Sequence, residues 1–203
     1  MSQTNLNVWI IDHQDSFTYN LVELIRKAGI SNINVYPVTS SDFLTNIGHA
    51  DRIILSPGPG VVDDPEYSQS LDILRLAPPH VSILGICLGH QIIGTFFGAK
   101  LEQVMPPLHG YETTAIQRNE QNEPGNNNQL FKGIPHLFKV GLYHSWRLDT
   151  STIRPPLLIT ATDQEGHILG IQHKTRKIQG IQFHPESILT PDGLTLMKNF
   201  LRG

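Results

Sequence analysis

The chain has 203 residues, 39% of them apolar and 16% charged, enough for one domain with a full hydrophobic core and little for a second. A net charge of −3 offers no basic footprint for nucleic acid or an anionic membrane surface. One cysteine excludes an internal disulfide, and the longest apolar run, VWII at 8–11, falls far short of the ~20 residues that cross a bilayer. The opening MSQTNLN has neither a basic segment nor a small-residue cleavage pattern, so a cytoplasmic protein in a reducing compartment is expected. There a lone thiol is worth reading as a nucleophile.

In chain order, VWIID (8–12) reads as a buried strand. Leu21, Leu24, Ile25 and Ala28 then fall on one face of a helix that Gly29 stops. INVYPV (33–38) is a second strand, followed by a weak helix at 42–47. RIIL (52–55) is a third strand, SPGPG (56–60) a turn and 68–76 a helix. VSILGI (81–86) is a fourth strand running into a helix at 88–97. Strands that are apolar on both faces and alternate with helices predict a parallel sheet covered on both sides.

Beyond this point the pattern changes. The Asn-rich segment 119–129 is expected as a surface loop. LFKVGLYHS, LLITATD, ILGIQHK and KIQGIQF follow as short β-like runs, with DQEG (163–166) and KTRK (174–177) as hairpin turns. A closing helix is predicted with Thr190 as N-cap, Pro191 at N1 and Leu194, Met197 and Leu201 on one face. The expected architecture is α/β, an open, mostly parallel sheet flanked by helices with an added antiparallel portion, forming one domain over 1–203. His13, His49, His80, His136, His167 and His173 stand singly, without convergent partners. Each is expected as a surface or capping residue, and no metal is expected.

Three segments carry chemistry. LGICLGHQ (84–91) sets Cys87 between Gly85 and Gly89 at a strand-to-helix junction, the cysteine counterpart of a nucleophile elbow. The small neighbours permit a sharp turn that projects the sulfur at the sheet edge, where the first turn of a helix favours negative charge. The backbone N–H of Leu88 would point the same way, toward an oxyanion. SPGPG ends the third strand on that same edge, where open α/β sheets bind ligands. Its amides could serve as oxyanion donors, each worth ~3–4 kcal/mol in known sites, though a stiff turn explains the residues equally well. QFHPES (182–187) places His184 and Glu186 about a rigid Pro185, a spacing that suits a base and its orienting carboxylate. By spacing alone a surface turn accounts for it as readily.

GICLGHQ, SPGPG and QFHPES, in this order, resemble the class I (triad) glutamine amidotransferases, which places the fold as flavodoxin-like. DHQDSFTYNL (12–21), YHS (143–145) and HPESILT (184–190) are similar to one subfamily, component II of anthranilate synthase and of aminodeoxychorismate synthase. The resemblance runs from residue 8 to 201. It implies Cys87 as nucleophile, His184 as base and Glu186 as the group orienting it. It further implies that Gly58, Pro59 and Gly60 line a glutamine site and that the Gly58 and Leu88 amides form an oxyanion hole. Gln91 and the backbone at Ser145 and Trp146 would contact the substrate amino acid. Three positions depart from the pattern: His13 in place of Asn, Leu142 where an Arg precedes YHS, and Tyr111 where HGK is usual.

The resemblance implies hydrolysis of L-glutamine through a thioester on Cys87, no cofactor in this chain, and ammonia passed to a separate chorismate-binding synthase subunit in a heteromer. No nucleic-acid or membrane partner is expected. The competing readings are the amidotransferase subunit of GMP synthase, a γ-glutamyl hydrolase, and a non-catalytic homologue that only binds a partner. DSFTYNL argues against the first two, and the complete set of Cys87, His184 and Glu186 against the third.

Overall fold

The computed structural model describes residues 5–118 and 129–203. The loop expected at 119–129 lies outside the described residues, save Gln129, which opens a short 3₁₀ turn. Strands β1 (Val8–Asp12), β2 (Ile33–Pro37), β3 (Arg52–Leu55) and β4 (Ser82–Ile86) pair in parallel with one another. Helices α1 (Thr18–Lys27), α2 (Ser68–Leu76) and α3 (Leu88–Phe96) alternate with them. Further along come β5 (Leu101–Gln103), β6 (Tyr111–Gln117), β7 (Leu137–Leu142), β8 (Trp146–Leu148), β9 (Leu157–Thr162), β10 (Ile168–His173), β11 (Ile178–Ile181) and α4 (Gly193–Arg202).

Nine strands form one sheet in the order β2-β1-β3-β4-β11-β10-β9-β6-β7, and β5 pairs with β8 in a separate ribbon. The first five are parallel, and their order is the doubly wound, flavodoxin-like one. The remaining pairings are antiparallel. Alternation along β1 explains how the sheet is covered. Val8 and Ile10 join Leu21, Ile25, Met197 and Phe200 on the face of α1 and α4. Trp9 and Ile11 join Ile73, Leu74, Ile92 and Ile93 on the face of α2 and α3. Gly29, at φ +100, ends α1 as expected, a conformation that costs glycine little.

Two expectations are corrected, and one strand was not foreseen. The weak helix at 42–47 is a 3₁₀ turn, Leu44–His49. β6 escaped the sequence reading because its residues are mostly polar or exposed; its place comes from a six-pair register with β7. Thr190 does not cap α4, which starts at Gly193 after Asp192. A Cβ at Gly193 would lie 1.9 Å from the Pro185 carbonyl oxygen, so the helix begins where its backbone can abut the HPE segment. The buried face then falls on Gly193, Leu196, Met197, Phe200 and Leu201, leaving Leu194 half-buried. Thr190 Oγ1 instead donates to the His184 carbonyl at 2.7 Å and accepts from Gly141 N at 3.0 Å.

Candidate active site

β4 ends at Ile86 and α3 begins at Leu88, so Cys87 alone makes the turn, at φ 51 and ψ −100. A non-glycine residue held there stores roughly 1–3 kcal/mol of strain, and the surroundings enforce it. A Cβ on Gly85 would lie 2.4 Å from the Gly89 backbone, and one on Gly89 would lie 2.3 Å from the Leu55 carbonyl oxygen. Cys87 N donates to Ile181 O at 2.8 Å, which pins the elbow to β11. The first amides of α3, beginning with Leu88, have no carbonyl partner within the helix, and Leu88 lines the same cleft as Cys87.

SPGPG leaves β3 beside this turn. A Cβ on Gly58 would sit 2.5 Å from the His13 Cβ, so only glycine passes here. The loop is clamped from two sides. Tyr67 Oη donates to the Pro59 carbonyl, and the Tyr67 ring meets His13 edge-on at 5.2 Å. His13, expected at the surface, is instead fully buried, because the loop after β1 folds under SPGPG. Its ring bridges Ser56 Oγ at 3.2 Å and Ser70 Oγ at 2.8 Å. Ser56 Oγ donates its one proton to Pro57 O at 2.6 Å, so His13 Nδ1 must be the donor toward it and Nε2 the acceptor from Ser70. The ring is neutral: burial lowers its pKa to about 4, against the pull of Asp12 and the hydrogen bond to Ser56.

The base arrives from far along the chain. β11 delivers Phe183 and His184 to the same edge, and His184 N donates to Gly141 O at 3.1 Å. Its Nδ1 lies 2.6 Å from Glu186 Oε1, and both side chains are almost fully buried, at 4% and 1% exposure. Tyr143 and Phe17 stand edge-on to the imidazole at 5.0 and 6.1 Å. Nε2 is buried without a formed hydrogen bond, and Cys87 is the neighbour that acts on it. Burial opposes a charged ring, but the sulfur and the Glu186 carboxylate together outweigh it and push the His184 pKa up to about 10.

These pieces frame one cleft of about 490 Å³. Gly58, Pro59, Gly60, Leu88, Gln91, Ser145 and Trp146 all line it together with Cys87 and His184, while Glu186 sits behind the imidazole, outside the lining. The far wall is tied by hydrogen bonds to three of its carbonyls. The carbonyls of His144, Ser145 and Trp146 accept from Leu108 N at 3.0 Å, Val104 N at 2.8 Å and Gln91 Nε2 at 2.6 Å. Both amide protons of Gln91 are engaged, the second with Gln182 Oε1 at 3.2 Å, so only its carbonyl oxygen is left to meet a ligand.

Sequence reasoning missed two residues here. Asp15 lines the cleft, and burial raises its pKa above the usual carboxylate range; the signal was its place in DHQDSF. Gln182 is fully buried with Nε2 3.5 Å from Cys87 Sγ; the signal was an amide side chain inside an apolar strand. Of the three departures from the family pattern, Tyr111 and Leu142 are cross-strand partners and line a second cavity of about 430 Å³, which shares His144 with the first. His167, expected to stand alone, pairs with Asp163 across its hairpin, Nδ1 to Oδ2 at 2.7 Å. Together with Glu165 they are a group of three possible metal ligands within 4.8 Å, with no ion present.

Comparison with known proteins agrees with this geometry. The family model for class-I glutamine amidotransferases matches residues 9–203. Anthranilate synthase component 2 of Saccharolobus solfataricus is 38% identical over 199 residues, covering 95% of this chain and 96% of that protein. Aminodeoxychorismate synthase component 2 of Klebsiella aerogenes is 35% identical over 199 residues, covering 96% and 98%. A Thermoplasma acidophilum structure assigned to a GMP synthase superposes with a TM-score of 0.81 over 99% of this chain and 94% of its own. At 24% identity it speaks for the fold alone. The chain belongs to the class-I glutamine amidotransferase family, and it is a glutamine amidotransferase.

Proposed function

We propose that this chain is the glutaminase subunit of a chorismate-aminating synthase, with Cys87 as nucleophile, His184 as its acid and base, and Glu186 orienting the ring. The observation that carries the reading is the strained Cys87 elbow facing a buried His184–Glu186 pair across one cleft. The Cys87 thiolate attacks the side-chain amide carbon of glutamine. The charged His184 gives its proton to the leaving nitrogen, ammonia departs and a γ-glutamyl thioester remains.

Acylation then changes the base. Once the sulfur is a neutral thioester, the pull of Cys87 on His184 is gone, only Glu186 still opposes burial, and the ring's pKa falls from its value in the free enzyme. His184 next takes a proton from water, whose oxygen adds to the acyl carbon; glutamate leaves and the thiolate returns. The Gly58 and Leu88 amides are the proposed oxyanion donors.

The synthase partner is inferred from relatives named component 2, which match over nearly their whole length. It is a separate chorismate-binding subunit that receives the ammonia. No helix among the described residues is long and apolar enough to cross a membrane, and we place the heteromer in the cytoplasm. The test mixes the protein with glutamine, chorismate and, in turn, an anthranilate and an aminodeoxychorismate synthase component I. Glutamate release coupled to aminated chorismate is expected with at least one. Hydrolysis that never aminates chorismate would overturn the partner assignment, and no hydrolysis in any mixture would overturn the glutaminase reading.

A further inference from the structure

Gln182 is the last polar residue before His184 on the strand segment that brings the base to the cleft, and it is fully buried. Which end of its amide faces the sulfur follows from a chain of partners. The Trp146 carbonyl is only an acceptor, so the Gln91 atom 2.6 Å from it is the NH₂. That same NH₂ lies 3.2 Å from Gln182, so the atom it meets is the Gln182 carbonyl oxygen. The other end of the Gln182 amide, 3.5 Å from Cys87 Sγ, is therefore its NH₂. An NH₂ group donates and does not accept, so it matches a sulfur carrying negative charge and offers nothing to the proton of a thiol.

We propose that Gln182 is a further catalytic residue, whose Nε2–H donates to Cys87 and favours its thiolate, and that Gln91 fixes this donor from the Trp146 carbonyl. The inference rests on reading Cys87 as the nucleophile. The sulfur thus has two neighbours that favour negative charge, the neutral Gln182 donor and the charged His184. When the thioester forms, the sulfur becomes a poor acceptor and the contact weakens. When water adds and the C–S bond breaks, the electron pair returns to sulfur and the contact is restored. Gln182 thus improves sulfur as a leaving group in the second half of the reaction.

Cys87 is the only cysteine in the sequence, so alkylation by iodoacetamide reads this sulfur alone. Gln182→Met keeps the volume and loses the donor. It is expected to raise the pH midpoint of alkylation by about one pH unit, which slows the reaction roughly tenfold at any pH below the wild-type midpoint and leaves the rate unchanged well above the variant's midpoint. Gln182→Glu sets a carboxylate against the sulfur and is expected to shift the midpoint further. Gln91→Met leaves the donor unanchored and is expected to give a smaller shift in the same direction. A merely structural role would change stability or KM and leave the midpoint alone. An unchanged midpoint in Gln182→Met overturns the proposal. Should that variant not fold, the unchanged midpoint of Gln91→Met does so. Alkylation needs neither glutamine nor a synthase. A wild-type protein that never hydrolyses glutamine, with Gln182→Met still shifting the midpoint, would overturn the glutaminase reading while Gln182 still favoured the thiolate; the two failures are thus told apart.

Discussion

The parallel and antiparallel halves of the sheet reach the same cleft by different routes. In the parallel half the nucleophile is set by five consecutive residues, 85–89, whose two glycines let Cys87 bend the chain between β4 and α3. In the antiparallel half the wall at His144–Trp146 is held by distant groups: the Val104 and Leu108 amides and the Gln91 side chain bind its carbonyls, while Gly141 and Thr190 hold the His184 segment that leaves the last parallel strand, β11. A nucleophile can thus be encoded locally because its requirement is a backbone shape. A base needs a position relative to that nucleophile, which only long-range pairing supplies. The contrast extends to charge. Burial leaves His13, His90 and His144 neutral, with pKa values lowered to about 4, 3 and 4, whereas His184, equally buried, is raised because it alone faces Cys87 and Glu186.

The largest expected effect comes from breaking the long-range side. His184→Ala should lower kcat for glutamine hydrolysis by ~10³-fold or more with the fold intact, as steady-state kinetics and circular dichroism would show. Retained turnover would mean that β11 and the contacts that hold the His184 segment bring no base to the cleft. The local side breaks differently. Gly89→Ala drives a Cβ into the Leu55 carbonyl and should cost more than about 3 kcal/mol of folding stability. Gly166→Ala, at φ +87 with nothing within 4 Å, should cost about 1 kcal/mol from backbone conformation alone. Urea denaturation of the two variants separates crowding from φ strain, and equal losses would contradict the elbow argument.

Acid should expose the neutral histidines. His13 and His90 have folded pKa values below the unfolded 6.5, so the stability they contribute is complete above pH 6.5. It is lost as pH falls toward about 4 and 3, because the unfolded chain binds protons first. Each histidine should add a slope on the order of 1.4 kcal/mol per pH unit across that window. Denaturation between pH 7 and 4.5 checks this, with His13→Asn expected to reduce the slope and an unchanged slope contradicting its buried neutral state. The smallest effect is expected from Tyr67→Phe, which releases the Pro59 carbonyl. A loss of roughly 3- to 10-fold in kcat/KM would show that the clamp tunes the SPGPG loop.

Legibility in the sequence followed the same division. The first four strands, the three helices between and after them, and the elbow could be read because buried parallel strands are continuous apolar runs and glycines mark the turn. Apart from Glu186, which sits behind the imidazole, the site residues named from the sequence line the cleft, because they sit at carboxyl ends of strands, in the loops that follow them or on the first turn of α3. β6 was illegible because its stability lies in its register with β7. Thr190 looked like an N-cap because Thr-Pro is a local helix signal, yet its hydroxyl is claimed by the His184 carbonyl and Gly141. His13 and Gln182 were misjudged or missed for one reason. A buried polar side chain is legible only once its partners, here Ser56 and Ser70 or Gln91 and Cys87, are known.

The most direct test of the account is glutamine hydrolysis by Cys87→Ala in the presence of the synthase subunit that activates the wild-type protein. A fall of ~10³-fold or more with the heteromer still assembled is the predicted result. Hydrolysis at the wild-type rate would place the chemistry elsewhere in the molecule and contradict the account.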